Sequence, residues 1–305
     1  MSIVRTPFAD LPTALVTELA DAGLEPRNVY DAVVRAVDED LPGQDVTSEA
    51  TIPADATAWA DLTARADGVL AGSAVAELVL RFVAGGHVDV TRKLPDGSHV
   101  VRGDVVMSVH GPVRALLTAE RTALNFLCHL SGVATTTHGW VRALEGTRAR
   151  VRDTRKTTPQ LRALEKYAVR CGGGLNHRAD LSDQALVKDN HVLAAGGVVE
   201  AYRAVRQQFP EVPVQVEVTT LEQLSDLLAE GAEQILLDNM DVATMGEAVG
   251  INAGRARLEA SGGLTLDSVR EVAATGVDYL AVGALTHSAP VLDVAMDLRP
   301  EAGAR

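Results

Sequence analysis

VQVEVTTLEQLSDLLAEGAEQILLD, residues 214–238, holds two apolar strand-like runs, 214–218 and 233–237, separated by a helical stretch. Strand, helix, strand is the signature of a parallel βα unit, because a parallel neighbour is reached only through a crossover. Working outward, the alternation recurs from about Ala149 onward, with strand candidates at 149–153, 183–188, 256–260 and 278–282 and a possible seventh near 178–181. Repeated units with short loops suggest a barrel that falls short of the usual eight strands; an open doubly wound sheet is the alternative. The first helix between these strands has readable ends. Thr158 can cap it, Pro159 suits the first helical position, and Gly172, Gly173 and Gly174 stop the run that carries Leu161, Leu164 and Val169.

Before this region the pattern changes. Helical segments near 12–37 and 70–84 accompany strands near 57–65, 87–92 and 104–110, set around turns at Asp96-Gly97 and Gly103, and a long helix follows near 114–130. That is an α+β arrangement. The expected division is an α+β domain over 1–130, onto which the tail 289–305 packs back, and a barrel over 131–288.

With 305 residues, 47% hydrophobic and 23% charged, the chain is long enough for two cores. A formal net charge of -13 argues against a protein that binds the nucleic-acid backbone or an anionic membrane surface. The first 24 residues are interrupted by Pro and acidic residues before any apolar run reaches signal or membrane length, so a cytoplasmic protein is expected. Cys128 and Cys171 stand far apart and outside any CxxC spacing, which supports neither a disulfide framework nor a zinc site and suggests two free, buried thiols. Of the 28 Lys and Arg, only Lys93, Lys156, Lys166 and Lys188 are lysines. In so arginine-rich a chain, Lys156 and Lys188 suggest a need for a compact, movable ammonium.

Each barrel strand ends in a polar or small residue: Asp153 followed by Arg155 and Lys156, then Lys188, Glu217, Asp238, Ser261 and Gly283. The C-terminal ends of parallel strands share one rim, so these scattered positions converge. Any one of them could merely cap a loop; five in succession are harder to explain so. Gathering Arg155, Lys156, His177, Arg178 and Lys188 at one rim is unfavourable unless an anion occupies the centre, and guanidinium forks suit carboxylates and phosphates. The plain alternative for Arg155 and Arg178 is pairing with Glu165, Asp180 or Asp183. Glu217 and Asp238 end QVEV and ILLD and could bind a divalent metal, hold sugar hydroxyls or stabilise developing positive charge. Ser261, Gly262 and Gly263 precede a helix expected from about Thr265, and Val282 and Gly283 follow the last strand; both are suited to a phosphate. Arg121 falls on the helical stripe of Leu117, Leu124 and Cys128, where a charge needs a partner from elsewhere unless it is simply exposed.

DTRKTTPQLRALEKYAVRCGGGLNHRADLSDQALVKDNH at 153–191 resembles the hallmark segment of quinolinate phosphoribosyltransferases. ERTALNFLCHLSGVATTT at 120–137, VEVT at 216–219, LLDNM at 236–240, LEASGGL at 258–264 and DYLAVGALTHS at 278–288 resemble further family segments in the right order, and EDLPGQDVTSEAT at 39–51 resembles the N-terminal one. The resemblance implies an N-terminal α+β open-faced sandwich domain joined to an incomplete, seven-stranded α/β barrel. It implies that quinolinate and phosphoribosyl pyrophosphate (PRPP) give nicotinate mononucleotide, pyrophosphate and carbon dioxide in NAD biosynthesis, with Mg2+ bound through PRPP and no organic cofactor. It further implies a homodimer, or a hexamer of dimers, in which Arg121 reaches the neighbouring active site.

By the same resemblance Arg121, Arg155, His177 and Arg178 hold the ring carboxylates, and Lys156 and Lys188 face carboxylate and phosphate oxygens at the reacting centre. Glu217 and Asp238 hold ribose hydroxyls or hydrated magnesium, and Ser261, Gly262, Gly263, Val282 and Gly283 bind the 5-phosphate. Three rival readings stand beside this one. They are a related phosphoribosyltransferase acting on another acidic heterocycle, a Schiff-base lyase using Lys188, and a non-catalytic barrel that binds a phosphorylated metabolite.

Overall fold

The structure is a computed structural model and describes residues 4–299. Its packing divides the chain into two units: residues up to Thr136 with Pro159–Gly173 and the segment from Ala289 form the first, and Thr137–Thr158 with Gly174–Ser288 the second. The expected boundary at 130/131 differs from this division, and it placed 159–173 with the barrel.

In the first unit α1 (Thr13–Asp21), α2 (Pro26–Asp40) and α3 (Val46–Thr51) lead into β1 (Thr57–Ala64), β2 (Gly68–Val69), α4 (Ser73–Ala84), β3 (Asp89–Lys93), β4 (His99–Val100), β5 (Val105–Pro112) and α5 (Val113–Ala143), whose residues from Thr137 on belong to the second unit. Strand β1 alternates: Ala58, Ala60, Leu62 and Ala64 are buried, while Trp59 and Asp61 face the other way. That one-sided pattern suits a sheet covered by helices on a single face. The cover includes α4, whose Leu78, Val79, Leu80, Phe82 and Val83 are all buried. Helix α5 runs 13 residues beyond the expected 130. Gly132 does not end it, because a Cβ there would lie 2.1 Å from the Pro290 carbonyl oxygen, so the glycine serves close main-chain packing.

The remaining elements are β6 (Arg150–Arg152), α6 (Arg162–Cys171), β7 (Ala185–Val187), α7 (Asp189–Ala195), α8 (Val198–Gln208), β8 (Val214–Val218), α9 (Leu221–Ala229), β9 (Gln234–Asp238), α10 (Val242–Asn252), β10 (Arg257–Ser261), α11 (Val269–Ala274), β11 (Tyr279–Ala281), α12 (Ala284–His287) and β12 (Val294–Arg299). Helix α6 and strand β12 belong to the first unit, where β12 completes an antiparallel sheet of order β12-β1-β5-β3. The described part of the expected tail therefore pairs through Val294–Arg299; residues 300–305 lie outside the described residues. Helix α6 starts at Arg162, later than Thr158 and Pro159 suggested, because Gln160 holds φ +67°, which no right-handed helix accepts.

The second unit is a six-stranded parallel sheet of order β6-β11-β10-β9-β8-β7, and Leu175 adds a one-residue parallel bridge beyond β6 at Arg152. The extra strand expected at 178–181 is loop, and the pairing occurs at Leu175 instead. The row curls on itself: His177, beside that bridge, reaches Gln215 on β8 near the row's other end, with 2.8 Å between Nε2 and Oε1. An incomplete barrel results. Val216, Ile235, Leu237, Leu258 and Leu280 are essentially inaccessible and supply the apolar core; truncating Leu237 to Ala would cost about 2–5 kcal/mol. The opposite face of the strands is unusual. Arg152, Gln215 and Glu259, from β6, β8 and β10, form a polar layer where barrels normally place branched apolar side chains.

Candidate active site

Period two along the strands carries this inward face upward. Glu217 lies two residues beyond Gln215, Asp238 two beyond Leu236, and Ser261 two beyond Glu259, and the register pairs Asp238 with Ser261 and Ser261 with Ala281. All of these except Gln215 line one cavity of about 600 Å3 at the C-terminal ends of the strands. Arg155, Lys156, His177, Arg178, Lys188, Glu217, Asp238, Ser261, Gly262, Gly263, Val282 and Gly283 line it together, so the strand-end residues picked from the sequence do converge. Two do not join them. Asp153 is fully buried and serves as a brace, accepting 2.7 Å hydrogen bonds from the Asn176 side chain and the His177 main-chain N–H. Arg121 belongs to the first unit and is exposed in the single chain, so no buried stripe charge has to be neutralised there.

Lys188 Nζ stands 2.9 Å from Glu217 Oε1. Arg178 donates to the Gln184 carbonyl oxygen, and among the described residues neither it nor Arg155 forms the side-chain ion pair with an acid that was the plain alternative. Burial, and then the neighbouring Arg155 charge, push the Arg178 guanidinium below its ordinary pKa, the mark of cations crowded together. The Arg155 Nε is buried with no hydrogen-bond partner. The Lys156 main chain is held from both sides, its N–H by Thr154 Oγ1 at 3.0 Å and its carbonyl by Thr286 Oγ1 at 2.7 Å. Gly283 leaves room beside it, because a Cβ would sit 3.0 Å from Lys156 Cδ and 3.1 Å from His287 Nε2.

Gly262 and Gly263 have φ of +94° and +61°, and a Cβ on Gly262 would lie 2.1 Å from Asn239 Oδ1. Asn239 is itself left-handed at φ +54°, donates from its main chain to the Ser261 carbonyl at 2.9 Å and from its amide to Asp238 Oδ2 at 3.0 Å. The helix expected from Thr265 begins at Val269, because a turn in which Thr265 and Ser268 bond each other intervenes. Any phosphate recognition at these glycines therefore rests on loop N–H groups rather than on a helix terminus. Both cysteines are free but half-buried rather than buried.

The description "Quinolinate phosphoribosyl transferase, N-terminal domain" matches residues 45–131, and "Quinolinate phosphoribosyl transferase, C-terminal domain" matches 133–297. The chain belongs to the quinolinate phosphoribosyltransferase family. Its relatives include the nicotinate-nucleotide pyrophosphorylase [carboxylating] of Mycobacterium leprae (strain TN), 53% identical over 88% of this chain and 96% of that one. A probable nicotinate-nucleotide pyrophosphorylase [carboxylating] of Bacillus subtilis (strain 168) is 40% identical over 85% and 90%. Among solved structures, NadC from Streptococcus pyogenes superposes with a TM-score of 0.87 at 41% identity, covering 90% of this chain and 98% of that one.

Within this family fold, the sequence reading passed over Glu259, Gln215 and Asn239. Glu259 stood inside LEASGGL, two residues before Ser261, so strand alternation alone would have placed a carboxylate on the inward face. For Asn239 the signal was the residue type itself, since Asn enters the left-handed region more readily than most non-glycine residues.

Proposed function

We propose that this chain transfers the phosphoribosyl group of PRPP to quinolinate with loss of carbon dioxide, giving nicotinate mononucleotide and pyrophosphate. One observation carries the reading: in a chain of this family, Arg155, Lys156, Arg178 and Lys188 meet the carboxylates Glu217 and Asp238 in a single cavity. The cations suit a dicarboxylate and a polyphosphate, and the acids suit a sugar between them. Names ending in "[carboxylating]" among close relatives support the decarboxylating version over transfer to a different acidic heterocycle.

Arg155, His177 and Arg178 hold the ring carboxylates, and Lys156 and Lys188 meet carboxylate and phosphate oxygens at the reacting centre. The loop Ser261, Gly262 and Gly263, with Val282 and Gly283, receives the 5-phosphate. Glu217 and Asp238 hold the ribose hydroxyls and favour positive charge developing on the sugar carbon. No group of three or more His, Cys, Asp or Glu among the described residues makes a metal cage. Two carboxylates fit a Mg2+ that keeps its waters and arrives bound to the diphosphate of PRPP, where it would neutralise leaving-group charge. The ring nitrogen then displaces pyrophosphate; when the adjacent carboxylate leaves as carbon dioxide, its electron pair stays on the ring carbon, stabilised by the positive nitrogen beside it, and takes up a proton from solvent. Catalysis by the protein lies in alignment and in excluding water.

Imine-forming lysines sit desolvated or beside another cation, whereas Lys188 is half exposed beside a carboxylate, which speaks for transfer over lyase chemistry. The reading includes a cytoplasmic homodimer, or a hexamer of dimers, in which Arg121 completes a neighbour's site. The test is release of carbon dioxide from quinolinate labelled in its 2-carboxyl group, with Mg2+, with and without PRPP. Release only with PRPP is expected; no release despite PRPP binding would point to another acceptor.

A further inference from the structure

The polar layer beneath the cavity contains an acceptor that the fold alone does not explain. Glu259 is inaccessible, and its Oε2 takes the Arg152 guanidinium at 3.0 Å and the Gln215 amide N–H at 3.3 Å. Its Oε1 has no hydrogen-bond partner and lies 3.4 Å from His177 Nε2. A buried carboxylate oxygen left unmet is costly, and native structures keep few of them.

The neighbouring bonds fix what the histidine is doing. Gln215 turns its N–H toward Glu259, so its Oε1 faces His177 Nε2 at 2.8 Å and requires a proton on that nitrogen. His177 Nδ1 meanwhile accepts the Arg178 main-chain N–H at 2.7 Å. Both bonds suit the neutral Nε2–H tautomer, in which neither ring nitrogen has an N–H to spare for a ligand in the cavity. An imidazolium would offer one from Nδ1, releasing the Arg178 main-chain N–H so that both donors are free for an entering anion. In that state Nε2–H lies between Gln215 Oε1 and Glu259 Oε1, and the unmet oxygen becomes its counter-charge.

We propose that Glu259, acting with Gln215, is a positioning residue for the acceptor: it holds His177 so that the ring takes up a proton as an anionic acceptor binds. The proton comes from solvent and forms an N–H bond at Nδ1, which gives up the hydrogen bond it accepts from the Arg178 main chain; no other covalent bond is made or broken. The charged groups around His177 include Glu259 and Arg152 below it, Asp153 at its main chain, Arg155, Arg178, Lys156 and Lys188 on the cavity side, and Glu217 above Gln215 on β8. The cations among them disfavour an imidazolium until a dianion arrives, and Glu259 offsets them from beneath. This inference rests on the proposal that His177 meets a carboxylate of quinolinate.

The experiment is calorimetric titration of the full-length protein with quinolinate and, separately, with PRPP and Mg2+, from pH 6 to 9. Wild-type affinity for quinolinate is expected to fall as pH rises. Glu259→Gln should weaken quinolinate about tenfold near neutral pH, begin that fall at lower pH, and leave PRPP within twofold. The double variant His177→Asn with Glu259→Gln should bind no worse than His177→Asn alone, since one residue acts through the other. Gln215→Met, which leaves the Arg152 pair in place, should shift quinolinate in the same direction and serves if Glu259→Gln does not fold. Unchanged quinolinate affinity in Glu259→Gln and Gln215→Met, or equal losses for both ligands, overturns the proposal. Unchanged affinity in His177→Asn overturns the assignment of His177 to the acceptor, and this inference with it. Quinolinate binding without carbon dioxide release overturns the proposed reaction and leaves the Glu259 comparison standing; absence of quinolinate binding overturns both.

Discussion

Lys188 and Glu217, ending adjacent parallel strands, form a 2.9 Å ion pair across the mouth of the barrel, with the lysine half exposed and the glutamate largely covered. The pair unites the two chemistries the cavity has to manage. Glu217 keeps the ammonium aimed over the strand ends, and Lys188 covers a carboxylate oxygen that faces a cavity lined by Arg155 and Arg178. On the proposed reaction, an entering phosphate competes for the ammonium and leaves the carboxylate to the sugar.

Lys188→Ala should lower kcat for carbon dioxide release by about 10²–10³-fold, the usual effect of removing one charged group aimed at developing charge. Lys188→Arg should recover little of it, because a planar fork on a longer stem does not replace a compact ammonium. Both are measured at saturating quinolinate and PRPP. Near-wild-type kcat in Lys188→Ala would remove the residue from the reacting centre.

Gly262→Ala and Gly263→Ala separate space from conformation. Both positions have positive φ, but only at Gly262 does the new Cβ meet Asn239 Oδ1, at 2.1 Å, whereas nothing lies within 4 Å at Gly263. Gly263→Ala should therefore cost about 1–2 kcal/mol of left-handed strain. Gly262→Ala should cost more and also displace Asn239 from Asp238, raising KM for PRPP. Thermal melts and KM values for both variants, compared side by side, check this; equal effects in the two would exclude the Asn239 contact as the cause.

The parallel sheet and its polar rim were legible because strand ends in a βα fold share one face, so Lys188, Glu217, Asp238 and Ser261 could be gathered from spacing alone. Features set by packing between distant segments were not. Leu175 bridges as a single residue, too short to leave a strand pattern, and the Gln160 conformation that delays α6 has no sequence signal. Gly132 lies within a helix because main chain at Pro290 presses against it, a contact 158 positions away. Glu259 was hidden for another reason. A barrel interior is expected to be apolar, and the alternation that pointed at it was read only for its last residue, Ser261.

Asp45 makes the first unit's stability depend on acid pH. Burial would raise its pKa, but hydrogen bonds from Ser48 and Thr118 prevail and hold the carboxylate below its ordinary value. Its Oδ1 caps α3 by accepting the Ser48 main-chain N–H at 2.9 Å. A depressed folded pKa stabilises above the unfolded value of 3.8, and the contribution is lost as pH falls through the folded value. Asp45→Ala should thus be less stable than wild type by about 1 kcal/mol at pH 7. In denaturant titrations that gap should narrow below about pH 4; a gap independent of pH would mean that the charge contributes nothing.

Arg121 provides the test of assembly. It is exposed on α5 in the single chain, which is where a residue that serves a second copy has to be. If it reaches a neighbour's cavity, Arg121→Ala and Lys188→Ala disable different parts of the same composite site. A mixed dimer of the two variants then contains one site with both defects and one with neither. Mixing the inactive parents after mild dissociation should restore about a quarter of wild-type activity if subunits pair at random: half the dimers are mixed, and each has one intact site of two. Restoration should appear in kcat, with KM for quinolinate at the wild-type value, because the regenerated site is complete. Mixtures no more active than their parents, with subunit exchange verified by mass, would place Arg121 outside the active site.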